Sequence, residues 1–269
     1  MAERRQLMVD GRRVSYLTAG SGPAVVLLHG IGGNAAQWNA QLDGLAGQYR
    51  LIAWDTPGYG ESDDPDTAWR MGDYAGVLAG LLDALELERV HLIGQSWGGV
   101  LAQEFYRRHV ERVRSLVLSD TFPGDACRPQ AARDASLQGR LRALKTMTPA
   151  EMATARLPML VPEGTSAGVK REIETMLAAI RPSGYRQAAI ALHDSDERAV
   201  LPTVRVPALV IAGEFDNVVP LHLSMLLAEG IPGARLEIIQ GTGHLSNQEK
   251  PEVWNDLLRT FLHEADPRI

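Results

Sequence analysis

The fold is decided by residues 90–99, which read VHLIGQSWGG. The apolar residues at the start of this stretch predict a strand buried on both faces, and the residues from Val100 onward predict a helix. The Gly-x-Ser-x-Gly turn between them lifts the hydroxyl of Ser96 to the carboxyl end of a sheet. So sharp a turn strains the serine backbone and requires Gly94 and Gly98, because side chains there would collide. We therefore expect Ser96 to be a nucleophile; the alternative is an ordinary serine in a glycine-rich turn.

The rest of the chain alternates between strand and helix patterns. Further apolar runs predict strands at residues 24–28, 51–54, 113–118, 208–212 and 235–239. Apolar residues at helical spacing predict helices over 74–85 and 253–262. The dipeptide Asp10-Gly11 predicts a tight turn between two short strands within residues 5–18. This order of elements predicts a parallel α/β sheet with a hairpin at its edge.

The alternation stops near Thr121 and resumes near Pro207. We predict that residues 1–121 and 201–269 form an α/β core and that residues 122–200 form an inserted helical cap. The inserted residues contain no convincing strand. They contain helical patterns at 169–180 and 185–192, and joints at Pro149, Pro158, Pro162 and Pro182.

Composition narrows the classes of function. The 269 residues carry 27 Lys and Arg against 33 Asp and Glu, a net charge of −6 that gives no general attraction for nucleic acid or anionic membranes. Cys127 is the only cysteine, so no internal disulfide can form. The N-terminus lacks the apolar run of a secretory signal, and no stretch approaches the roughly 20 apolar residues that span a bilayer. We expect a cytoplasmic protein that binds a small molecule; the oligomeric state stays open.

A serine hydroxyl is a weak nucleophile and needs a general base, which in turn needs an orienting group. His244 follows the predicted strand at 235–239 and is the leading base. Asp216 follows the strand at 208–212, and the chain order Ser, Asp, His is that of such a triad on an α/β sheet. Asp120 is the rival acid, because its strand also ends at this edge. Glu214 is expected to be a loop residue.

The reaction also needs donors for the negative charge that develops on the carbonyl oxygen. The backbone N–H of Trp97 directly follows the nucleophile. The glycine-rich loop after the strand at 24–28 can supply a second N–H, for which Ile31 is the best candidate. His29, at the start of this loop, is expected to have a structural role.

These features together resemble the α/β-hydrolase family over nearly the whole chain. The motifs that carry the resemblance are HG at 29–30, DTPGYGES at 55–62, GQSWGG at 94–99, GEFD at 213–216 and GH at 243–244. The resemblance implies an eight-stranded, mostly parallel sheet flanked by helices, hydrolysis through an acyl-enzyme, and a cap that sets substrate choice. It implies no metal and no organic cofactor.

Within the family, residues 244–249 and 184–194 look like those of 3-oxoadipate enol-lactonases and related small carboxylesterases. Trp97-Gly98 departs from the Met-Gly that is common there. An enol-lactone substrate of that type carries a carboxylate, so a cationic anchor in the cap is expected. The candidates are Arg128, Arg133 and Arg140.

Four alternatives remain at this point. Gly30-x-Gly32-x-x-Ala35 followed by Asp55 mimics a dinucleotide-binding fingerprint. The fold could serve a non-catalytic ligand-binding receptor. The same triad could hydrolyse a carbon–carbon bond of an aromatic ring-cleavage product, although Gln95 stands where such relatives usually carry Asn. Metal-dependent hydrolysis has little support, because the acidic residues Asp194, Asp196 and Glu197 look like a solvated turn.

Overall fold

The structure is a computed structural model that describes residues 2–66 and 68–266. In this part of the chain, eight strands form one sheet. The strands are β1 (Glu3–Val9), β2 (Arg12–Ala19), β3 (Ala24–Leu28), β4 (Arg50–Trp54), β5 (Val90–Gln95), β6 (Val113–Ser119), β7 (Ala208–Gly213) and β8 (Arg235–Ile239).

The sheet order is β1-β2-β4-β3-β5-β6-β7-β8. The edge strand β1 pairs antiparallel with β2, and β2 pairs antiparallel with β4, whereas all other pairs are parallel. The predicted hairpin turn is present, with positive φ at Asp10 and Gly11. The central strands β3 and β5 are buried along their whole length, as expected for strands covered on both faces.

Helices cover both faces of the sheet. They are α1 (Asn39–Leu45), α2 (Met71–Ala84), α3 (Trp97–Arg108), α4 (Gln130–Thr146), α5 (Pro149–Leu160), α6 (Ala167–Ala178), α7 (Pro182–His193), α8 (Leu221–Gly230), α9 (Ser246–Glu249) and α10 (Pro251–Ala265). The predicted helices α2 and α10 bury most of the apolar residues by which they were recognised, but Val253 of α10, which was predicted to belong to the stripe, is exposed. Trp38 and Trp254 pack together in the core with ring centroids 5.6 Å apart.

Four of these helices, α4 to α7, lie between β6 and β7, and we call them the inserted helices. The sequence pattern predicted α6 and α7 but not α4 and α5. Helix α4 has no buried residue, so it has no apolar stripe to recognise. Pro158 lies inside α5, so its interpretation as a joint was wrong. Helix α5 begins instead at a capping box formed by Thr148 and Glu151.

The interpretation of the acidic stretch after α7 as a fully solvated turn was also wrong. Asp194 and Asp196 are exposed, but Glu197 is buried, with 4% of its surface accessible. The backbone N–H of Glu197 donates to Pro123 O at 2.7 Å, which holds the side chain against α3 beside Arg107 and the buried Glu104. This contact joins the end of the inserted segment to its beginning.

Candidate active site

Ser96 occupies the strained turn between β5 and α3. Its backbone has φ 52° and ψ −119°, a conformation that non-glycine residues rarely adopt. A Cβ at Gly94 would lie 2.2 Å from Gly98 O, and one at Gly98 would lie 2.3 Å from Leu28 O. Both glycines are therefore required for the turn to pack against its own helix and against β3.

The loops after β7 and β8 bring Asp216 and His244 to Ser96. Nε2 of His244 lies 2.8 Å from Ser96 Oγ, and Nδ1 of His244 lies 2.7 Å from Asp216 Oδ2. All three side chains are buried. Asp216 Oδ1 accepts backbone N–H groups of Val218 and Val219, each at 2.8 Å. These bonds hold the carboxylate so that its other oxygen faces the imidazole.

The rival acid, Asp120, does not contact His244 by hydrogen bonding. Its Oδ1 accepts the backbone N–H of Gly213 at 2.8 Å, and its Oδ2 accepts the hydroxyl of Ser246 at 2.7 Å. Burial, together with the negative charge of nearby Asp216, raises the pKa of Asp120 to about 7. Glu214 is a loop residue, and its carboxylate accepts the backbone N–H of Gly241.

The glycine-rich loop after β3 lies directly beside the serine. A Cβ at Gly30 would lie 3.2 Å from Ser96 Cβ, and Ile31 lines the same small chamber as Ser96. The backbone N–H groups of Ile31 and Trp97 donate to no acceptor within residues 2–66 and 68–266. Neither N–H group is therefore committed to a protein acceptor among the described residues.

The glycine-rich loop and Asp55, which together resembled a dinucleotide-binding fingerprint, contact each other directly. Asp55 Oδ1 accepts the backbone N–H of Ala35 at 2.7 Å, and its other oxygen forms an ion pair with Arg4. His29 Nε2 accepts the N–H of Thr56 at 3.1 Å, and burial lowers the pKa of His29. These residues hold the loop in place, in agreement with the structural role expected for His29.

Gln95, at the end of β5, connects two other segments of the site, a role that the sequence analysis missed. Its Nε2 donates to His244 O at 2.7 Å, and its Oε1 accepts from Gln37 Nε2 at 3.2 Å. The side chain thereby ties the backbone of His244 to the segment that follows the glycine-rich loop. In the sequence, only the position of Gln95 directly before Ser96 indicated that its side chain could have a role in the site.

The inserted helices also contact this site directly. The backbone N–H of His244 donates to Leu160 O at the end of α5, at 2.7 Å. The indole of Trp97 packs edge-on against Tyr74, with ring centroids 4.9 Å apart, and its Nε1 donates to Ala188 O of α7 at 3.1 Å. Trp97 thus links the serine turn to the inserted helices.

Two cavities meet above Ser96. The inner chamber, of about 20 Å³, contains Ser96 and His244 and has an apolar wall formed by Ile31, Leu160, Met176, Leu177, Val218 and Leu245. The outer cavity, of about 460 Å³, lies among α4, α5, α7 and the loop that carries Asp216. Arg140, Arg156 and Val218 line both cavities and so stand at their junction.

Arg140 and Arg156 converge on one hydroxyl. Their Nη1 atoms donate to Tyr185 Oη at 3.2 and 2.6 Å respectively. Burial of Tyr185 opposes ionisation, but the two guanidinium groups outweigh it, and the pKa of Tyr185 is lowered. Arg156 was not among the cationic candidates that the sequence suggested.

The other two candidates are placed differently. Arg128 lines the outer cavity, but its guanidinium is paired with Asp125. Arg133 donates to Gln130 on the surface of α4 and lines neither cavity. Only Arg140 of the three predicted anchors reaches the chamber of Ser96.

The sheet order, the strained serine turn and the contacts among Ser96, His244 and Asp216 define an α/β-hydrolase architecture. A family model described as the alpha/beta hydrolase fold matches residues 23–251. The chain therefore belongs to the α/β-hydrolase family, which confirms the predicted fold class and family resemblance.

Several solved and curated proteins are similar over nearly the whole chain. A thermophilic esterase from Thermogutta terrifontis is 28% identical with a TM-score of 0.90, covering 98% of this chain and 99% of its own. The enol-lactonase from Burkholderia xenovorans LB400 is 25% identical with a TM-score of 0.88, covering 96% and 99%. The 2-hydroxy-6-oxononadienedioate/2-hydroxy-6-oxononatrienedioate hydrolase of Paraburkholderia phymatum is 32% identical, covering 93% and 91%.

The remaining features concern metals and membranes. Within residues 2–66 and 68–266, no group of three or more His, Cys, Asp and Glu side chains is arranged to hold a metal ion. In the same residues, every helix is too short or too polar to cross a membrane.

Proposed function

We propose that this chain is a serine hydrolase that cleaves a small carboxylic ester or lactone through an acyl-enzyme. One observation carries the proposal: Ser96 Oγ, the His244 imidazole and the Asp216 carboxylate form a continuous chain of 2.8 and 2.7 Å contacts. This geometry suits removal of the hydroxyl proton at the moment of attack.

In the first step, Ser96 Oγ bonds to the carbonyl carbon while its proton passes to His244 Nε2. The carbonyl oxygen becomes negative and accepts the backbone N–H groups of Ile31 and Trp97, each worth about 3 kcal/mol when it is aimed in advance. Asp216 stabilises the imidazolium through Nδ1.

The tetrahedral intermediate then collapses. The bond to the leaving oxygen breaks, and that oxygen takes the proton from His244. Water repeats the sequence: it loses a proton to His244, attacks the acyl carbon, and returns Ser96 as a free hydroxyl. A lactone differs only in that its leaving oxygen stays joined to the acyl group through the carbon chain, so that deacylation releases a single product that carries both groups.

We further propose that residues 122–200 act as a cap on a core of residues 1–121 and 201–269. Two contacts support this division of roles: Leu160 O accepts the N–H of His244, and Ala188 O accepts the indole N–H of Trp97. The outer cavity lies among the inserted helices, so their side chains would determine which esters reach Ser96.

Hydrolysis of a carbon–carbon bond is the second candidate. It is favoured by the 32% identity with the Paraburkholderia hydrolase. Gln95 replaces the Asn usual in such relatives, and its side chain is already bound to His244 O and Gln37. We therefore rank ester or lactone hydrolysis first.

The test is the intact mass of the protein after treatment with a phosphonate or sulfonyl fluoride reagent. We expect a single adduct in the wild type and in Ser136→Ala, a control serine that lines the outer cavity. Ser96→Ala should give none. An unreactive wild type that also fails to turn over simple esters would favour a non-catalytic ligand-binding protein.

A further inference from the structure

The backbones of the nucleophile and of the base are supported by different parts of the molecule. The N–H of Ser96 donates to Ser119 O at the end of β6, at 3.0 Å. The N–H of His244 donates instead to Leu160 O at the end of α5, at 2.7 Å, and the core reaches His244 from its carbonyl side, where Gln95 Nε2 donates at 2.7 Å. A shift of α5 would therefore change the alignment of the base with the nucleophile.

Gly243, directly before His244, makes a second link between the histidine loop and the inserted helices. It packs so closely on the end of α5 that a Cβ here would lie 2.5 Å from Leu160 O. Its backbone N–H donates to Glu249 Oε1 at 2.8 Å. The other carboxylate oxygen, Glu249 Oε2, accepts the hydroxyl of Thr165, in the connection between α5 and α6, at 2.9 Å. One carboxylate therefore bridges the histidine loop and the inserted segment.

An apolar cluster makes a third link. Leu245, directly after His244, is buried in it, and Val218, whose N–H donates to Asp216 Oδ1, packs against it. The other buried members of the cluster all belong to the inserted segment; they are Ala153, Leu160, Val161, Ile173, Met176 and Leu177. Burial of these side chains stabilises the packing of the histidine and aspartate loops against α5 and α6.

We infer that Glu249 is a positioning residue for His244, and that the base is aligned only while α5 and α6 are packed against the histidine loop. The inference rests on the proposed function. Glu249 lines neither cavity, so it acts through Gly243 rather than on the substrate. Attack requires the 2.8 Å contact between Ser96 Oγ and His244 Nε2, and small misplacements of a catalytic group lower rates steeply. Lifting α5 from the loop would break this alignment, so attack would follow closure of the inserted helices over the substrate.

The kinetic test measures variants of the bridge on 4-nitrophenyl acetate. Glu249→Ala should lower kcat by about 10- to 100-fold and change KM by less than about threefold, because misalignment of the base affects attack rather than binding. Glu249→Gln should keep kcat within about threefold of the wild type, since its amide can accept the Gly243 N–H and donate to Thr165. Thr165→Val, which removes one hydrogen bond of the bridge, should lower kcat by about three- to tenfold.

Controls separate positioning from folding. Glu252→Ala removes an exposed glutamate three residues after Glu249 and should leave kcat as in the wild type. Circular dichroism at the assay temperature gives the folded fraction of each variant. The rate at which a phosphonate reagent labels Ser96 should fall in parallel with kcat, because labelling also needs the base. Thr165→Val combined with Glu249→Ala should cost no more than Glu249→Ala alone, since Thr165 acts through Glu249.

Hydrogen exchange makes the inference independent of turnover. The amides of residues 241–249 should exchange about threefold faster or more in Thr165→Val than in the wild type, although 84 positions separate Thr165 from Glu249. Faster exchange in this variant, with no hydrolysis or labelling by the wild type, would refute only the proposed function. Wild-type kcat in folded Glu249→Ala, an equal loss in Glu249→Gln, or unchanged exchange in Thr165→Val would overturn the inference and leave the hydrolase proposal standing.

Discussion

Asp120 Oδ1 accepts a 2.8 Å hydrogen bond from the backbone N–H of Gly213, three residues before Asp216. The acid that the sequence offered as a rival therefore holds the start of the loop that carries the other acid. Its second oxygen accepts the hydroxyl of Ser246, two residues after His244. One buried carboxyl group thus supports both loops of the proposed triad.

This arrangement predicts different outcomes when each of the two aspartates is replaced by asparagine. Asp216→Asn should lower kcat by at least roughly several hundredfold, because the amide cannot stabilise the imidazolium and favours the wrong tautomer of His244. Asp120→Asn should lower kcat by less than about tenfold. The amide oxygen of the asparagine can still accept the Gly213 N–H, and the uncharged amide resembles the protonated form of Asp120.

Steady-state kinetics of both variants on one ester would check this prediction. Near-normal activity in Asp216→Asn with a large loss in Asp120→Asn would transfer the role of the acid to Asp120. Unfolding of each variant should be measured in parallel, so that a loss of structure is not taken for a loss of chemistry.

Ser96, His244 and Asp216 should behave as a unit. Ser96→Ala and His244→Ala should each reduce turnover by at least roughly several hundredfold, and a double variant should cost little more than either single one. The measurement is kcat for singles and doubles. Additive losses would mean that the residues act in separate steps and would contradict the proposed mechanism.

The sequence predicted the strands and the catalytic candidates because both follow from local rules. Each apolar run became a strand of the sheet, and parallel strands bring the residues after their carboxyl ends to one edge. Ser96, Asp216 and His244 therefore meet although 148 positions separate the first from the last.

The inserted segment was harder to predict because two of its four helices, α4 and α5, show no clear apolar stripe, whereas α6 and α7 do. Helix α4 buries none of its residues, and Arg156 is one of many arginines of the inserted segment until the fold places it beside Tyr185. Glu197 carries the same acidic signal as Asp196, yet only a contact between distant segments buries it. Such pairings depend on tertiary structure rather than on local pattern.

Trp97 provides a third prediction. Trp97→Phe keeps an aromatic ring against Tyr74 but removes the hydrogen bond from the indole N–H to Ala188 O and leaves a void beside a fully buried ring. We expect a loss of about 1–3 kcal/mol in the free energy of unfolding. Since the backbone N–H of residue 97 is unchanged, kcat should fall far less than in Ser96→Ala.

Denaturant unfolding and ester kinetics on the same preparation would check this. Tyr16→Phe, which removes a hydroxyl from a buried aromatic residue on β2 instead, serves as a comparison at a position away from the inserted helices. Unchanged stability in Trp97→Phe would show that the bond to Ala188 does not hold the inserted helices to the serine turn.

Glu197 provides a prediction about pH and stability. Burial, aided by the charge of Glu104, raises its pKa from about 4.5 in the unfolded chain to about 8. Its Oε2 has no hydrogen-bond partner in the described structure, and Arg107 Nε lies 3.9 Å away. Between these two pKa values the folded state binds a proton that the unfolded state has lost, so this residue makes stability fall as pH rises.

Glu197→Gln resembles the protonated acid and should remove this cost. The free energy of unfolding of the variant should match the wild type near pH 4, exceed it progressively as pH rises toward 8, and exceed it by a few kcal/mol above that. Denaturant unfolding from pH 4 to 9 measures the difference, with Glu172→Gln, an exposed glutamate of α6, as the matched control. A difference that stays constant with pH would mean that Glu197 keeps its charge in the folded protein throughout, and that Arg107 compensates for its burial.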